Sequence, residues 1–122
     1  MAGPRARGRK SKFGNSWTTV DGIKFQSKLE AKRYIQLKQL LNDQKIKSFT
    51  RQPKFDLIAG IRYVGDFEVT GLDDKVWIED VKGMETEAFK LKQKLFNHFH
   101  SAKYGNLVVI KAKDMKGVRL GN

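Results

Sequence analysis

Carboxylates and one lysine stand inside two short stretches that otherwise read as buried β-strand, residues 63–67 and 78–82. Alternate residues of a strand share a face, so Asp80 and Lys82 are expected to point the same way. If the two strands pair across the short turn between them, Asp66 comes to lie beside Asp80. The spacing therefore predicts two carboxylates and an ammonium group at one end of a sheet.

Two carboxylates at this separation repel each other, so either one is protonated or a cation bridges them. Oxygen ligands suit Mg²⁺, for which Mn²⁺ can substitute. The ammonium group of Lys82 can orient an attacking water and offset charge that builds up on a phosphate. Metal sites rich in cysteine or histidine are disfavoured, because the chain has no cysteine and only His98 and His100. The set is suited to hydrolysis of a phosphodiester.

Simpler roles exist for the same residues. Asp80 and Lys82 could form a surface pair on an exposed sheet, worth about 0.5 kcal/mol. Glu79 points to the opposite face by strand alternation, which predicts a solvated or merely supporting group. Glu30 could be the second half of a helix capping box that begins at Ser27, or it could contact a metal or water from that helix.

The charge distribution favours a polyanionic partner. The chain has a net charge of +12 and a pI of about 10.0, and such a field attracts nucleic acid, although a small basic protein of another kind would share it. Residues 66–87 are the exception, with eight acids and two lysines. An acidic island in a basic chain is typical of a cation site within a polyanion-binding surface.

The elements that must position these groups begin with a β-hairpin. Asp21-Gly22 supplies the positive φ angles of a two-residue turn between residues 17–20 and 23–25. A helix is then predicted from Ser27 to Asn42 or Asp43. Its mostly apolar stripe consists of Leu29, Arg33, Leu37, Leu40 and Leu41.

Further along the chain the period changes to that of strands, which are predicted at 46–49, 55–58, 61–69 and 76–81. Thr86 is predicted to cap a second helix that runs to about Ala102. The expected buried face of this helix consists of Ala88, Leu91, Leu95, Phe99 and Ala102. Residues 107–112 form a continuous apolar strand of the kind found in a covered sheet. The order predicts an α/β fold with a mixed central β-sheet flanked by helices.

The chain is expected to hold one folded domain, residues 13–122, after a disordered basic arm at residues 1–12. No apolar run reaches the length of a membrane span and no signal peptide is recognisable, which predicts a cytoplasmic protein without a membrane partner.

Asp66 followed by Asp80-Val81-Lys82, with Glu30 in a preceding helix, resembles the PD-(D/E)XK nuclease superfamily, whose members carry a metal-bound acid pair and a lysine on an α/β core. The residue before Asp66 is Gly65, where the superfamily name has proline. A closer resemblance rests on five motifs in order: Asp21-Gly22-Ile23-Lys24-Phe25, Ser27-Lys28-Leu29-Glu30-Ala31, Asp66-Phe67, Glu79-Asp80-Val81-Lys82-Gly83 and Phe89-Lys90-Leu91-Lys92. They look like small phage-encoded nucleases of the endonuclease I or Holliday junction resolvase type, and the resemblance covers about residues 18 to 100.

This resemblance implies a restriction-endonuclease-like core and a Mg²⁺-dependent endonuclease that acts on DNA, with branched DNA such as a Holliday junction as substrate. Asp66 and Asp80 would bind the metal, Glu30 would contribute a metal or water contact, and Lys82 would support catalysis. If the protein is phage-encoded, the cytoplasm is that of a bacterial host. The basic residues expected to contact DNA are Arg5, Arg7, Arg9, Lys10, Lys12, Lys28, Lys32, Lys90, Lys92 and Lys94.

Cutting two strands of a two-fold substrate predicts a homodimer. Two alternatives remain open at this point: a DNA-binding recombination-accessory protein that does not cleave, and a nuclease of the same superfamily that acts on linear or single-stranded DNA.

Overall fold

The computed structural model describes residues 17–120. Within this range the chain forms two strands, a helix, five strands, a second helix and a last strand, and a short 3-10 helix, Ala112–Met115, follows. The helices are α1 (Lys28–Asn42) and α2 (Glu87–Tyr104). The strands are β1 (Thr18–Val20), β2 (Ile23–Phe25), β3 (Ile46–Arg51), β4 (Lys54–Asp56), β5 (Arg62–Val64), β6 (Phe67–Gly71), β7 (Val76–Val81) and β8 (Val108–Ile110).

The central sheet has four strands in the order β3-β6-β7-β8. The first three are antiparallel neighbours, whereas β8 runs parallel to β7 after the crossover through α2. The pairs β1-β2 and β4-β5 form two separate hairpins. The prediction of a mixed α/β fold around a mixed sheet is confirmed. The arm at residues 1–12 lies outside the described residues.

Local chemistry explains where the first elements begin. Asp21 and Gly22 both have positive φ, as the predicted hairpin turn requires. The Ser27 hydroxyl accepts a hydrogen bond from the Glu30 backbone N–H at 3.0 Å, and that of Thr86 accepts one from the Phe89 N–H at 3.1 Å. Each hydroxyl satisfies one of the free N–H groups at a helix start, so both predicted N-caps are confirmed.

The strand predicted over residues 61–69 is two strands. The first part, β5, pairs with β4, and the second part, β6, pairs with β3 and β7. Gly65 and Asp66 lie at the break, where the Gly65 N–H donates to the Pro53 carbonyl at 2.9 Å and the Asp66 N–H donates to the Glu79 carbonyl at 3.0 Å. The chain thus leaves its pairing with β4 and joins the central sheet just before the side chain of Asp66.

Gly65 is required by packing. A Cβ atom at this position would lie 2.9 Å from Cγ2 of the fully buried Ile78 and 3.4 Å from Cγ of Pro53. We expect Gly65→Ala to lower the free energy of unfolding by about 1–3 kcal/mol, the usual cost of overpacking. Gly83→Ala is the matched control, since its Cβ would make an ordinary 3.6 Å contact with Leu29. Denaturant unfolding compares the two variants, and equal stabilities would contradict this account. Proline at position 65 would also remove the donor to Pro53.

The sheet buries a separate apolar cluster on each face. On the α1 side, Phe67, Val69 and Val81 pack with Ala31 and Leu37 of the helix. The opposite cluster joins α2, the β4-β5 hairpin and Ile78, and its other buried members are Phe55, Tyr63, Phe89, Phe96 and Leu107. The two helices therefore cover opposite faces of the sheet.

The predicted buried face of α2 is wrong. Leu91 and Phe99 are 57% and 43% exposed, whereas Phe89 and Phe96 are buried. The two phenylalanines are seven residues apart and therefore share a helix face, and the Phe96 ring packs edge-on against Phe55 at 5.0 Å. Two helical stripes of apolar residues compete in this sequence, and the pair of rings that reaches the aromatic cluster is the one that is buried.

Among residues 17–120, neither helix combines the length and the apolar character needed to cross a membrane.

Candidate active site

The register of β6 and β7 brings the two predicted acids together. Phe67 is paired with Glu79, so the preceding residue, Asp66, stands opposite Asp80. The Asp66 carboxylate also accepts a hydrogen bond from the Val81 backbone N–H at 2.7 Å. The expectation that strand pairing places these two carboxyl groups side by side is confirmed.

The side chains of Asp66 and Asp80 form a buried acid pair in which both pKa values are raised. Burial and the neighbouring charges of Asp80 and Glu30 raise the pKa of Asp66 to about 7, against the opposing effect of the Val81 N–H and Lys82. Burial also raises the pKa of Asp80, although the hydrogen bond from Tyr63 and the charge of Lys82 act in the opposite direction. Without a cation, the pair therefore retains a proton well above the ordinary pKa of an aspartate.

Asp80 is held at one oxygen and unsatisfied at the other. Its side chain is 3% exposed, and Oδ2 accepts a hydrogen bond from the buried Tyr63 hydroxyl. Burial and the Asp80 charge raise the pKa of Tyr63, so this hydroxyl remains a donor. Oδ1 lies 3.2 Å from Nζ of Lys82, but it is buried and has no hydrogen-bond partner. An unsatisfied buried carboxylate oxygen is an available ligand atom for a cation.

Tyr63 is expected to matter for metal affinity. In Tyr63→Phe the ring still fills the cluster, but Asp80 Oδ2 loses its donor and the carboxylate loses its fixed orientation. Loss of such a supporting hydrogen bond typically weakens metal binding about 10–100-fold. Titration with Mn²⁺, followed by calorimetry, gives the affinity. Tyr104→Phe, in the same cluster, should leave it unchanged; equal affinities in the two variants would rule out this role for Tyr63.

Glu30 lies in the first turn of α1, and its carboxylate is directed to Arg51 of β3, with Nη2 at 3.7 Å from Oε2. The guanidinium of Arg51 lies over the ring of Phe25 at 4.6 Å. Burial raises the pKa of Glu30, with Arg51 opposing and Asp80 adding to the rise. The Glu30 carboxylate therefore belongs to the electrostatic field of the acid pair, and its contact is an arginine rather than the helix cap.

Of the two roles predicted for Glu79, the solvated one is wrong, because its side chain is 1% exposed on the face opposite Asp80. Arg33 of α1 donates to both of its oxygens, at 2.7 and 2.5 Å, and the indole N–H of Trp77 donates at 2.9 Å. Arg33 also donates to Gln36, whose amide reaches the Asp114 carbonyl. Strand alternation gave the correct face, but α1 covers that face and supplies the countercharge.

A groove of about 320 Å³ opens beside Asp80 and Lys82 and extends to the start of α2. Its lining includes Lys92, and its remaining walls come from Arg62, Tyr63, Val64, Thr86, Ala88 and Phe89. A larger cleft of about 990 Å³ lies beside the β1-β2 hairpin and the second half of α1, but its described lining contains none of the predicted site residues. The groove, although smaller, is the one that adjoins the candidate chemistry.

The residues predicted to contact DNA are placed unequally. Lys92 is half-buried in the groove, whereas Lys90 and Lys94 are exposed on α2. On α1, Lys28 is exposed and Lys32 is half-buried. The remaining five, Arg5, Arg7, Arg9, Lys10 and Lys12, lie outside the described residues.

The donor set fits a hard cation such as Mg²⁺. Residues 17–120 contain no group of three or more histidine, aspartate or glutamate side chains gathered as for a metal ion. A hydrated Mg²⁺ needs only one or two carboxylates, and the unsatisfied oxygen of Asp80 beside Asp66 offers that number. Asp66 and Asp80 are thus the residues that would hold the ion.

Three residues of the site had no predicted function: Tyr63, Arg51 and Arg62. Tyr63 stands three residues before Asp66, within one of the two stretches that attracted attention, but hydroxyls of strand tyrosines give no distinctive signal. Arg51 meets Glu30 where β3 packs against α1, a contact that sequence spacing does not indicate. Arg62 enters the groove through the separate β4-β5 hairpin.

The fold and site describe an α/β domain with an acid pair and lysine at the end of its central sheet. Residues 10–117 match the model of the family described as "Protein of unknown function (DUF1064)", and the chain belongs to this family. Neither the curated proteins nor the solved structures contain a significant match.

Proposed function

We propose that this protein is a metal-dependent DNA endonuclease that hydrolyses phosphodiester bonds. The observation that carries the proposal is the buried pair Asp66 and Asp80, with Lys82 at 3.2 Å from a carboxylate oxygen that has no hydrogen-bond partner. The net charge of +12 supports a polyanionic substrate.

The roles of the residues follow from their surroundings. Asp66 and Asp80 would hold Mg²⁺, which when bound would supply Lewis acidity toward the phosphate and the attacking water. Tyr63 and the Val81 N–H fix the two carboxylates in place. Lys82, partly exposed at the groove, supplies a mobile positive charge to the phosphate as negative charge accumulates on it.

Glu30 and Arg51 form a supporting pair at the edge of this site. Glu30 contributes negative charge to the field of Asp66, which strengthens the attraction for a cation. Arg51 limits the exposure of that charge by lying against Glu30. In this proposal Glu30 attracts the metal or orients its water rather than completing a helix cap.

Branched DNA is the proposed substrate because of the sequence resemblance to small phage-type junction resolvases. A two-fold junction needs two cuts, so the proposed active form is a homodimer that acts in the cytoplasm. Light scattering of the protein on a four-way junction should give two protein chains per junction, and a single chain would contradict the dimer.

The direct test is incubation with a four-way junction, a linear duplex and a single strand of the same sequence, each with Mg²⁺ or with EDTA. Symmetric nicks in the junction, present with Mg²⁺ and absent with EDTA, are the expected result. Degradation of the linear or single-stranded DNA would support nuclease activity but contradict branched DNA as the substrate.

A DNA-binding accessory protein without cleavage activity is the second candidate. It is favoured by the contact of Glu30 with Arg51 rather than with the acid pair. Junction binding that persists in both Mg²⁺ and EDTA, with no nicking of any substrate, would establish this reading.

A further inference from the structure

The groove beside the acid pair is also lined by the start of α2. Besides Asp80 and Lys82, it contains Thr86, the N-cap of α2, and Ala88, Phe89 and Lys92 from the first two turns of that helix. The ammonium group of Lys82 lies 4.6 Å from the centre of the Phe89 ring, so Lys82 and Lys92 line one continuous channel. The volume, about 320 Å³, falls at the lower end of small-ligand sites.

Lys92 is an uncompensated charge in this channel. Each of the other two cations has a partner, since Lys82 pairs with Asp80 at 3.2 Å and Arg62 with Asp56 at 3.4 Å. No salt bridge to Lys92 occurs among the described residues, although its side chain is half-buried. A half-buried ammonium group beside apolar walls is stabilised by an anion that enters from outside.

The helix start adds to this field. The Thr86 hydroxyl accepts a hydrogen bond from the Phe89 N–H, and the Thr86 carbonyl accepts one from the Lys90 N–H. The N–H groups of Glu87 and Ala88 have no acceptor within the helix. These groups, together with the helix dipole, attract negative charge. The almost completely buried Asp80 carboxylate, whose Oδ1 has no hydrogen-bond partner, lines the same groove, so the groove offers a cation site next to an anion site.

We propose that the Lys92 end of the groove is a subsite for a backbone phosphate of DNA, next to the phosphate that is cut on the same strand. The proposal rests on the proposed function for the identity of the cut phosphate. Lys92 and the first turn of α2 bind the adjacent phosphate, and Lys82 stands between the two positions. The enzyme would then require a phosphate on one side of the cut and tolerate its loss on the other.

The first test measures binding without cleavage. A 5′-phosphorylated thymidine dinucleotide is titrated in EDTA, with affinity and contact residues read from amide chemical shifts. We expect the shifts to centre on Ala88 and Lys92, and Lys92→Met to weaken binding about tenfold or more. Lys103→Met, with the same charge change on an exposed residue of α2 that has no predicted DNA contact, should change the affinity less than about twofold, and Lys92→Arg should restore binding. Equal losses in the two methionine variants would overturn the proposal.

The second test uses cleavage of DNA in which one neutral methylphosphonate linkage replaces the phosphate on either side of the cut. Slower cleavage is expected for one side only, and this penalty should disappear in Lys92→Met. If the protein does not cleave DNA but binding of the dinucleotide still depends on Lys92, the proposed nuclease function is wrong and the anion subsite is supported. If the protein cleaves DNA and a methylphosphonate on either side of the cut slows cleavage equally, the subsite is overturned and the nuclease function is supported.

Discussion

Asp80→Asn is expected to reduce Mg²⁺-dependent cleavage at least about 1000-fold while DNA binding persists. The substitution keeps the shape of the side chain but removes the charge of the buried carboxylate whose Oδ1 is free of hydrogen bonds. Loss of a metal ligand removes several kcal/mol of transition-state stabilisation, and each 1.36 kcal/mol is tenfold in rate. Lys82→Met should cost about 100–1000-fold, as does the removal of other groups that stabilise developing charge.

Asp74→Asn and Lys75→Met are the matched controls for these variants, because both residues are exposed in the turn between β6 and β7. Single-turnover cleavage and electrophoretic binding assays distinguish loss of chemistry from loss of affinity. Cleavage at wild-type rate in both Asp80→Asn and Lys82→Met would refute the assignment of the site.

Asp66→Asn is expected to stabilise the metal-free protein at pH 8. The pKa of Asp66 is about 7 in the folded chain and 3.8 in the reference state. Between these values the unfolded chain has lost a proton that the folded chain retains, so the free energy of unfolding falls as pH rises from about 4 to 7. Above pH 7 the Asp66 carboxylate is ionised in the folded chain as well, and the full loss of folding stability remains. At 1.36 kcal/mol per pKa unit, asparagine would recover a few kcal/mol, or on the order of 10 °C in Tm.

Asparagine can still accept the hydrogen bond of the Val81 N–H, so the variant isolates the charge. Thermal unfolding at pH 5 and pH 8, in EDTA and in Mg²⁺, provides the measurement. The increase in Tm of Asp66→Asn over the wild type should be largest at pH 8 in EDTA. Mg²⁺ should raise the Tm of the wild type more than that of Asp66→Asn. A variant less stable than the wild type at pH 8 in EDTA would contradict the argument.

Much of the fold was predictable because local chemistry determines it. The Asp21-Gly22 turn and the caps at Ser27 and Thr86 each act within four residues, and the structure contains all three. The break at Gly65 was not predictable, since the apolar pattern continues through it and only the choice between two partner strands separates β5 from β6. The buried face of α2 depends on an aromatic cluster assembled from distant parts of the chain.

The candidate site divides in the same way. Strand periodicity and D-x-K spacing placed Asp80 and Lys82 on one face, and the turn between the strands placed Asp66 beside them. The contacts of Glu30 and Glu79 were not predictable from spacing, because each depends on an arginine from another element. One hint was present: Arg33 interrupts the apolar stripe of α1 at a position that faces the sheet.

The contact between Arg33 and Glu79 also has a consequence for strand alignment. Side chains alternate along a strand, so sliding β7 by one residue would turn Asp80 toward α1 and place either Asp80 or Ile78 at the position where Glu79 meets Arg33. Arg33 donates to both Glu79 oxygens, a geometry that neither the shorter aspartate nor an isoleucine would reproduce at the same backbone position. The slipped alignment would leave a buried guanidinium poorly paired, which is strongly unfavourable. A charge pair on the far side of the sheet thus ensures that Asp80, and not Glu79, faces the groove.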